Sequence, residues 1–121
     1  MAALRSATTR TIKIREEHRK LHTEHITENS RYWEAVNKLA KKAFPPEEYL
    51  APQTLVEMAK TDQLDFLALS EQDAFVGFMV VKTYKDLAYL FFLAIDPTCR
   101  SRGYGSRAIE TLKAEYPGKK Q

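Results

Sequence analysis

Strands and helices are segregated along this 121-residue chain rather than strictly alternating, which predicts an α+β fold with helices packed on a mostly antiparallel sheet. Two observations carry that reading. Between residues 64 and 95 three strand-like runs follow one another, separated only by short polar turns, so they are expected to pair as antiparallel neighbours. On both sides of them lie segments with apolar residues at helical spacing, 31–44 and 52–60 before, 105–116 after. A chain of this length forms one domain at most and buries roughly two-thirds of its unfolded surface.

Residues 1–20 read as a basic, disordered tail and 21–121 as the domain. Within the tail only Thr11-Ile12-Lys13-Ile14-Arg15 alternates apolar and polar positions as a half-buried strand would. Residues 21–28, with Ile26 and Thr27, form a first strand. Asn29 and Ser30 offer capping side chains to a helix over 31–44 whose Trp33, Val36, Leu39, Ala40 and Ala43 share one face. Pro45-Pro46 ends it, because proline lacks the amide hydrogen and disfavours helix in the residue before it. Pro52 opens a second helix to about residue 60, burying Leu55, Val56 and Ala59. Residues 64–69 and 75–81 form a hairpin around Glu71-Gln72-Asp73, and Tyr84-Lys85-Asp86 turns the chain into residues 87–95. That last run is uncharged on either face, so it is read as a strand covered on both sides. The final helix places Ala108, Ile109, Leu112 and Tyr116 inward and Arg107, Glu110, Lys113 and Glu115 outward, and Pro117-Gly118 stops it.

The net charge of +3 is unevenly placed. Six basic and two acidic side chains give residues 1–20 a net +4, leaving thirteen basic and fourteen acidic in residues 21–121, a net −1. A nucleic-acid reader is expected to carry a basic face within its fold, so nucleic acid is not expected as a partner. The first fifteen residues, basic and Ser/Thr-bearing without an acid, have the composition of an organellar transit peptide; the plain tail is preferred because termini are commonly disordered. The longest uncharged apolar run, 87–95, is far short of the roughly 20 residues that span a bilayer, so no membrane association is expected. The lone Cys99 cannot form an internal disulfide, which favours a reducing, cytoplasmic setting.

Between the last strand and the last helix stands Arg100-Ser101-Arg102-Gly103-Tyr104-Gly105-Ser106. Glycines at two alternate positions let the backbone take positive φ and approach a ligand with no Cβ in the way. The helix that opens there adds unpaired amides and the positive end of its dipole, a site for phosphate or pyrophosphate. Arg100 and Arg102 bring formal charge that can grip phosphate oxygens in a bidentate manner. A doubly phosphorylated ligand matches these features. The spacing is neither a Walker loop, which needs a Gly-Lys pair, nor the Gly-x-Gly-x-x-Gly of a dinucleotide-binding unit.

A long apolar strand, an Asp-Pro turn and Arg-x-x-Gly-x-Gly-Ser opening an amphipathic helix resemble the acetyl-CoA signature of the GNAT N-acetyltransferases, with Arg100, Gly103 and Gly105 in its three fixed places. The order of one strand, two helices and three strands is also similar, so the resemblance covers roughly residues 21–121. It implies an N-acetyltransferase that moves an acetyl group from acetyl-CoA, the cosubstrate, to an amine acceptor by direct attack. It also implies that the backbone of Leu93, Ala94 and Ile95 bonds the pantetheine arm and acetyl group, while the loop from Ser101 through Arg102, Gly103, Tyr104 and Gly105 to Ser106 holds the pyrophosphate. The catalytic acid and base are not legible: the strand 87–95 contains no carboxylate, only Asp86 at its start, and the family's usual tyrosine acid follows a fifth strand. Family members continue past this helix with a strand, a helix and two more strands, so the resemblance also implies a truncated product or a noncatalytic CoA-binding remnant. The bare edge of 87–95 would then be covered by residues 11–15 or by a second copy in a homodimer.

Other residues are set aside. His18, His22 and His25 with Glu24 could be drawn as a metal cluster, but a strand over 21–28 removes the helical spacing it needs, and no metal is expected. Cys99 has no flanking histidine to make it a nucleophile. Glu47 and Glu48 lie where the family admits its acceptor and could attract a cationic amine, though a solvated loop is the simpler reading. Tyr32 and Trp33 read as core or helix surface.

Overall fold

The computed structural model describes residues 20–61 and 64–117. All of the basic tail but Lys20, including the Thr11–Arg15 pattern and His18, lies outside the described residues, as does Gly118. The elements are β1 (His22–His25), α1 (Trp33–Ala43), α2 (Pro52–Thr61), β2 (Leu64–Glu71), β3 (Ala74–Tyr84), β4 (Leu87–Ile95) and α3 (Tyr104–Glu115), with 3-10 turns at Pro46–Glu48 and Pro97–Cys99. The four strands form one sheet in the order β1-β2-β3-β4, each pair antiparallel. The α+β class and the order of elements are those the sequence predicts.

The sheet separates two apolar clusters. On one face α1 and α2 bring Val36, Leu39, Ala40, Phe44, Leu55 and Val56 against Phe66, Ala68, Phe78, Val80 and Ala94. On the other, Ala108 and Leu112 of α3 meet Leu67, Leu69, Met79, Val81 and Ala88. Alternation along β2 and β3 assigns these sets to opposite faces, as a period of two requires. Burying a Leu, Val or Phe side chain contributes about 1.5–3 kcal/mol, so the two clusters together are the main source of stability.

Helix α1 begins two residues later than expected, because Ser30 is occupied elsewhere. Its Oγ accepts from the Thr27 amide at 2.8 Å and donates to the His25 carbonyl at 3.3 Å, closing the turn after β1. Tyr32 holds the N-cap position without a side-chain cap and donates its hydroxyl to the Asp73 carbonyl at 3.1 Å. At the other end Phe44 is extended (ψ 135°), as the following proline dictates. The β2–β3 hairpin closes on Gln72 and Asp73 alone, both at positive φ (50° and 65°), while Glu71 belongs to the strand. Such a two-residue turn matches the right-handed twist of the paired strands.

Two further expectations are corrected. Strand β4 is not covered on both sides: it is the terminal strand of the described sheet, with Tyr89 41% and Phe91 46% exposed. Helix α3 covers Ala88, Leu90 and Leu93 on one face. On the other face Phe44 stacks on Phe92 with ring centroids 4.0 Å apart, and the first half of the strand is left bare. In α3 the inward face runs through Ala108, Thr111 and Leu112, which leaves Ile109 36% exposed, and Arg107 turns in to an ion pair with Glu71.

Candidate functional site

The segment from Leu93 to Ser106 is assembled by three devices. The first is a pair of strand irregularities. The register of β2 and β3 shifts between Leu69 and Ser70, and that of β3 and β4 between Val80 and Val81, where Phe92 and Leu90 are the partners and Phe91 is the extra residue. A bulge bends its strand and re-aims the side chains around it. Gly77 then lets β3 and β4 approach: a Cβ there would lie 2.1 Å from the Ala94 carbonyl oxygen.

The phase of the β3–β4 ladder decides what β4 can offer. Gly77 stands opposite Ile95, and the Asp96 amide donates to the Val76 carbonyl at 2.8 Å. In an antiparallel ladder that makes Gly77 and Ile95 a non-hydrogen-bonded pair. The N–H and C=O groups of Ile95, and by alternation those of Leu93, point away from β3 to the open edge. Those of Ala94 point toward Phe78. Of the three strand residues expected at the site, two present backbone groups outward and the middle one does not.

The second device is the turn after β4. The Asp96 carboxylate accepts from the Thr98 hydroxyl at 2.6 Å and the Thr98 amide at 3.0 Å, and the Cys99 amide donates to the Asp96 carbonyl at 2.8 Å. The Thr98 hydroxyl, with its amide and the nearby charges of Lys42 and Arg100, holds the Asp96 carboxyl below the usual carboxylate range. Arg100 is extended, Ser101 is left-handed at φ 67°, and Gly103 is left-handed again at φ 77°. Positive φ therefore falls on Ser101 and Gly103. Gly105 lies in the first turn of α3, and a Cβ on either glycine would meet nothing within 4 Å.

The third device is the start of α3. Gly103 is its N-cap and supplies no side-chain acceptor, while its carbonyl accepts from Arg107 at 3.1 Å. The amides of Tyr104, Gly105 and Ser106, the first three of the helix, have no intrahelical acceptor by construction. Arg100 and Arg102 are exposed and form no ion pair among the described residues. The result is a run of amides without intrahelical acceptors at a helix N-terminus, preceded by the exposed cations Arg100 and Arg102 and by the strand end where the backbone of Leu93 and Ile95 points outward. That arrangement can hold an anionic ligand with an extended, hydrogen-bonding arm.

The Tyr104 side chain turns away from this mouth. Its hydroxyl donates to Glu71 Oε1 at 2.8 Å, a bond that together with partial burial raises its pKa. The Arg107 guanidinium pairs with Glu71 Oε2 and lies 5.1 Å from the centre of the Tyr104 ring. Across the sheet a shallow pocket of about 290 Å³ is lined by Lys41, Phe44, Pro46 and Tyr49. Glu47 and Glu48 are exposed on their 3-10 turn, as a solvated loop would be. Tyr32 is buried against Phe75, at 5.5 Å between ring centroids. Glu24, set aside as a metal ligand, pairs with Arg31 at 2.7 Å. Among the described residues no helix is long and apolar enough to cross a membrane.

Sequence reasoning missed Glu71 and Gly77. Glu71 carried no local signal, since its partners are more than thirty residues away. Gly77 did: an isolated glycine in a strand pattern marks a bulge or a close backbone approach.

An antiparallel sheet carrying two helices on one face and, on the other, a helix that opens on a glycine-bearing loop is an α+β architecture shared with solved structures. The chain belongs to the acetyltransferase (GNAT) family, whose model matches residues 33–120. It is similar in structure to a protein of Bacteroides thetaiotaomicron described as a GNAT-family acetyltransferase, with TM-score 0.69 and 24% identity over 79% of this chain and 56% of that one. It is also similar to an aminoglycoside 6'-N-acetyltransferase complexed with coenzyme A, with TM-score 0.60 and 20% identity over 78% of this chain and 54% of that one. The matched region spans a little over half the length of these two structures. No curated protein matches the sequence.

Proposed function

We propose that this chain binds acetyl-CoA and, as an N-acetyltransferase domain, delivers the acetyl group to an amine acceptor. The observation that carries the reading is the junction of β4 and α3: free amides of residues 104–106 behind a left-handed Gly103, with Arg100 and Arg102 alongside and the outward backbone of Leu93 and Ile95 next to them. In this reading the loop holds the pyrophosphate, and the strand edge bonds the amide-bearing pantetheine arm, whose spacing suits an extended backbone partner. Family membership and the coenzyme A seen in the aminoglycoside enzyme support the same assignment.

Transfer requires a neutral amine to attack the thioester carbonyl carbon. A tetrahedral oxyanion forms, the C–S bond breaks, the amine gives up a proton and the thiolate gains one. In this reading an outward amide of β4 stabilises the oxyanion. The proton carrier is not supplied by β4 itself: residues 87–95 bear no carboxylate, and Asp86 lies at the far end of the strand, roughly 25–30 Å from Ile95 at about 3.3 Å per residue. Asp96 is held ionised by Thr98 and is a weak base. This observation favours a second reading, a CoA-binding module without transfer activity.

Two measurements test the readings. Calorimetric titration with CoA is expected to give saturable binding that Gly103→Asp abolishes, by setting a carboxylate against the loop amides; unchanged affinity in a folded variant would sink the site. A thiol-release assay with acetyl-CoA and a panel of amines then separates the two: release above the hydrolysis background supports the transferase, and binding without release supports the module.

A further inference from the structure

We propose that Glu71 is a positioning residue for the CoA loop, an inference that rests on the reading that residues 100–106 hold the pyrophosphate. Glu71 is the last residue of β2, beside the tight turn at Gln72 and Asp73, and it pairs with Ala74 across the hairpin. Its carboxylate engages Tyr104 and Arg107, which are three residues apart and therefore neighbours on one face at the start of α3. The Glu71 side chain is 28% exposed and that of Arg107 20%, so the pair is only partly screened by water.

Two consequences follow from that geometry. First, a single carboxylate anchored on the sheet fixes both the position and the rotation of the first turn of α3, whose amides face the ligand. Gly103 cannot do this, because it has no side chain with which to cap the helix. Second, the Glu71 carboxylate offsets the charge of Arg107 and turns its guanidinium to the sheet. Arg100 and Arg102 are left as the cations that face an incoming phosphate. Glu71 touches no ligand in this arrangement; it acts through the helix.

The test is calorimetry with CoA on the full chain, comparing wild type with Glu71→Ala, Glu71→Gln, Tyr104→Phe and Tyr116→Phe. Tyr116 sits at the opposite end of α3, where its hydroxyl donates to Asp65, so its loss weakens helix docking without touching the loop. The expected result is a CoA Kd about tenfold weaker in Glu71→Ala, equivalent to about 1.4 kcal/mol. Glu71→Gln keeps an oxygen for the Tyr104 hydroxyl and is expected to restore part of the affinity. Tyr116→Phe is expected to lower Tm while leaving Kd within about twofold of wild type. Wild-type affinity in Glu71→Ala would overturn the proposal, as would an equal loss of affinity in Tyr116→Phe, which would reduce Glu71 to general helix stability. If Glu71→Ala does not fold, Tyr104→Phe, which removes one hydroxyl and keeps the ring, decides the same question by weaker or unchanged binding. Failure of the wild-type chain to bind CoA would instead remove the underlying site, and no variant is needed to see it.

Discussion

At the scale of single residues the two glycines that matter act for different reasons. Gly77 is a matter of space: any side chain would occupy the position 2.1 Å from the Ala94 carbonyl, at the point where β3 and β4 must approach to aim Leu93 and Ile95 outward. Backbone atoms cannot swing aside as a flexible side chain can. Gly77→Ala is therefore expected to destabilise the fold by about 1–3 kcal/mol, the usual penalty of overpacking, and to weaken CoA binding as β4 shifts. Urea denaturation measures the first effect, and a midpoint equal to wild type would refute the close approach. Gly103 is a matter of dihedral angle: its Cβ direction is empty, but its φ of 77° is one that L side chains rarely adopt. Gly103→Ala should therefore lose roughly 1–2 kcal/mol of stability through backbone strain alone. It should retain measurable CoA binding, whereas Gly103→Asp should have none. Equal binding by the two variants would show that charge at the loop mouth is irrelevant.

Among the elements, α3 follows the loop proposed to bind CoA and is fastened along its length by polar contacts as well as by Ala108 and Leu112. Glu71 holds its start. Thr111 in its middle accepts from the Leu21 amide at 2.8 Å, Glu115 accepts from the Thr23 hydroxyl at 2.8 Å, and the Tyr116 hydroxyl donates to Asp65 just beyond its end. Burial, then the Asp65 carboxylate, push the Tyr116 pKa far above its ordinary value of 10.0. The folded protein thus keeps that proton at a pH where the unfolded chain loses it, and the contribution, complete below about pH 10, falls as pH rises above it. Tyr116→Phe is expected to lower stability by about 1–2 kcal/mol at neutral pH and to flatten the alkaline decline. Denaturation midpoints taken between pH 8 and 11 check both, and parallel curves would exclude Tyr116 as the cause. These straps explain which parts of the fold were legible. Periodicity and proline placed every helix and strand of the described chain to within a few residues, because burial patterns and backbone restrictions are local. The loop expected to bind the ligand could be located for the same reason, since Gly103 and Gly105 stand at the start of the helix that follows it. Positive φ at Ser101 was not, because serine carries no preference for it. The inward turn of Arg107 depends on Glu71, and the exposure of Ile109 on how α3 is rotated over the sheet; neither is encoded in the helix itself.

For the whole molecule the two sheet edges are unlike. At one, β1 is four residues long and polar, and its Glu24 is tied to Arg31 in an ion pair, features that discourage further pairing. At the other, β4 offers nine residues, and its bare face continues onto β3, where Tyr84 is 59% exposed next to Leu87, Tyr89 and Phe91. Two lysines set charge on that surface: the Lys82 ammonium lies 5.5 Å from the Phe91 ring centre and the Lys85 ammonium 5.3 Å from the Tyr84 ring centre. The bulge at Phe91 divides the strand: beyond it lie Leu93 and Ile95, which are proposed to bond the ligand, and before it residues 87–90 form the bare half of the edge. Two copies meeting antiparallel through residues 87–90 would join their sheets across a two-fold axis, pair the open backbone groups and bring the aromatic stripes together, while leaving both ligand edges accessible. A dimer is therefore the expected state of the 121-residue chain in solution. Tyr89→Lys, which sets like charges near the axis, is expected to convert it to a monomer with CoA affinity retained, because Tyr89 lies on the far side of the bulge from the loop. Light scattering behind size exclusion, run over a hundredfold range of concentration, reads both outcomes. A wild-type chain that stays monomeric throughout would refute edge pairing, and a dimer indifferent to Tyr89→Lys would place the interface elsewhere on the molecule.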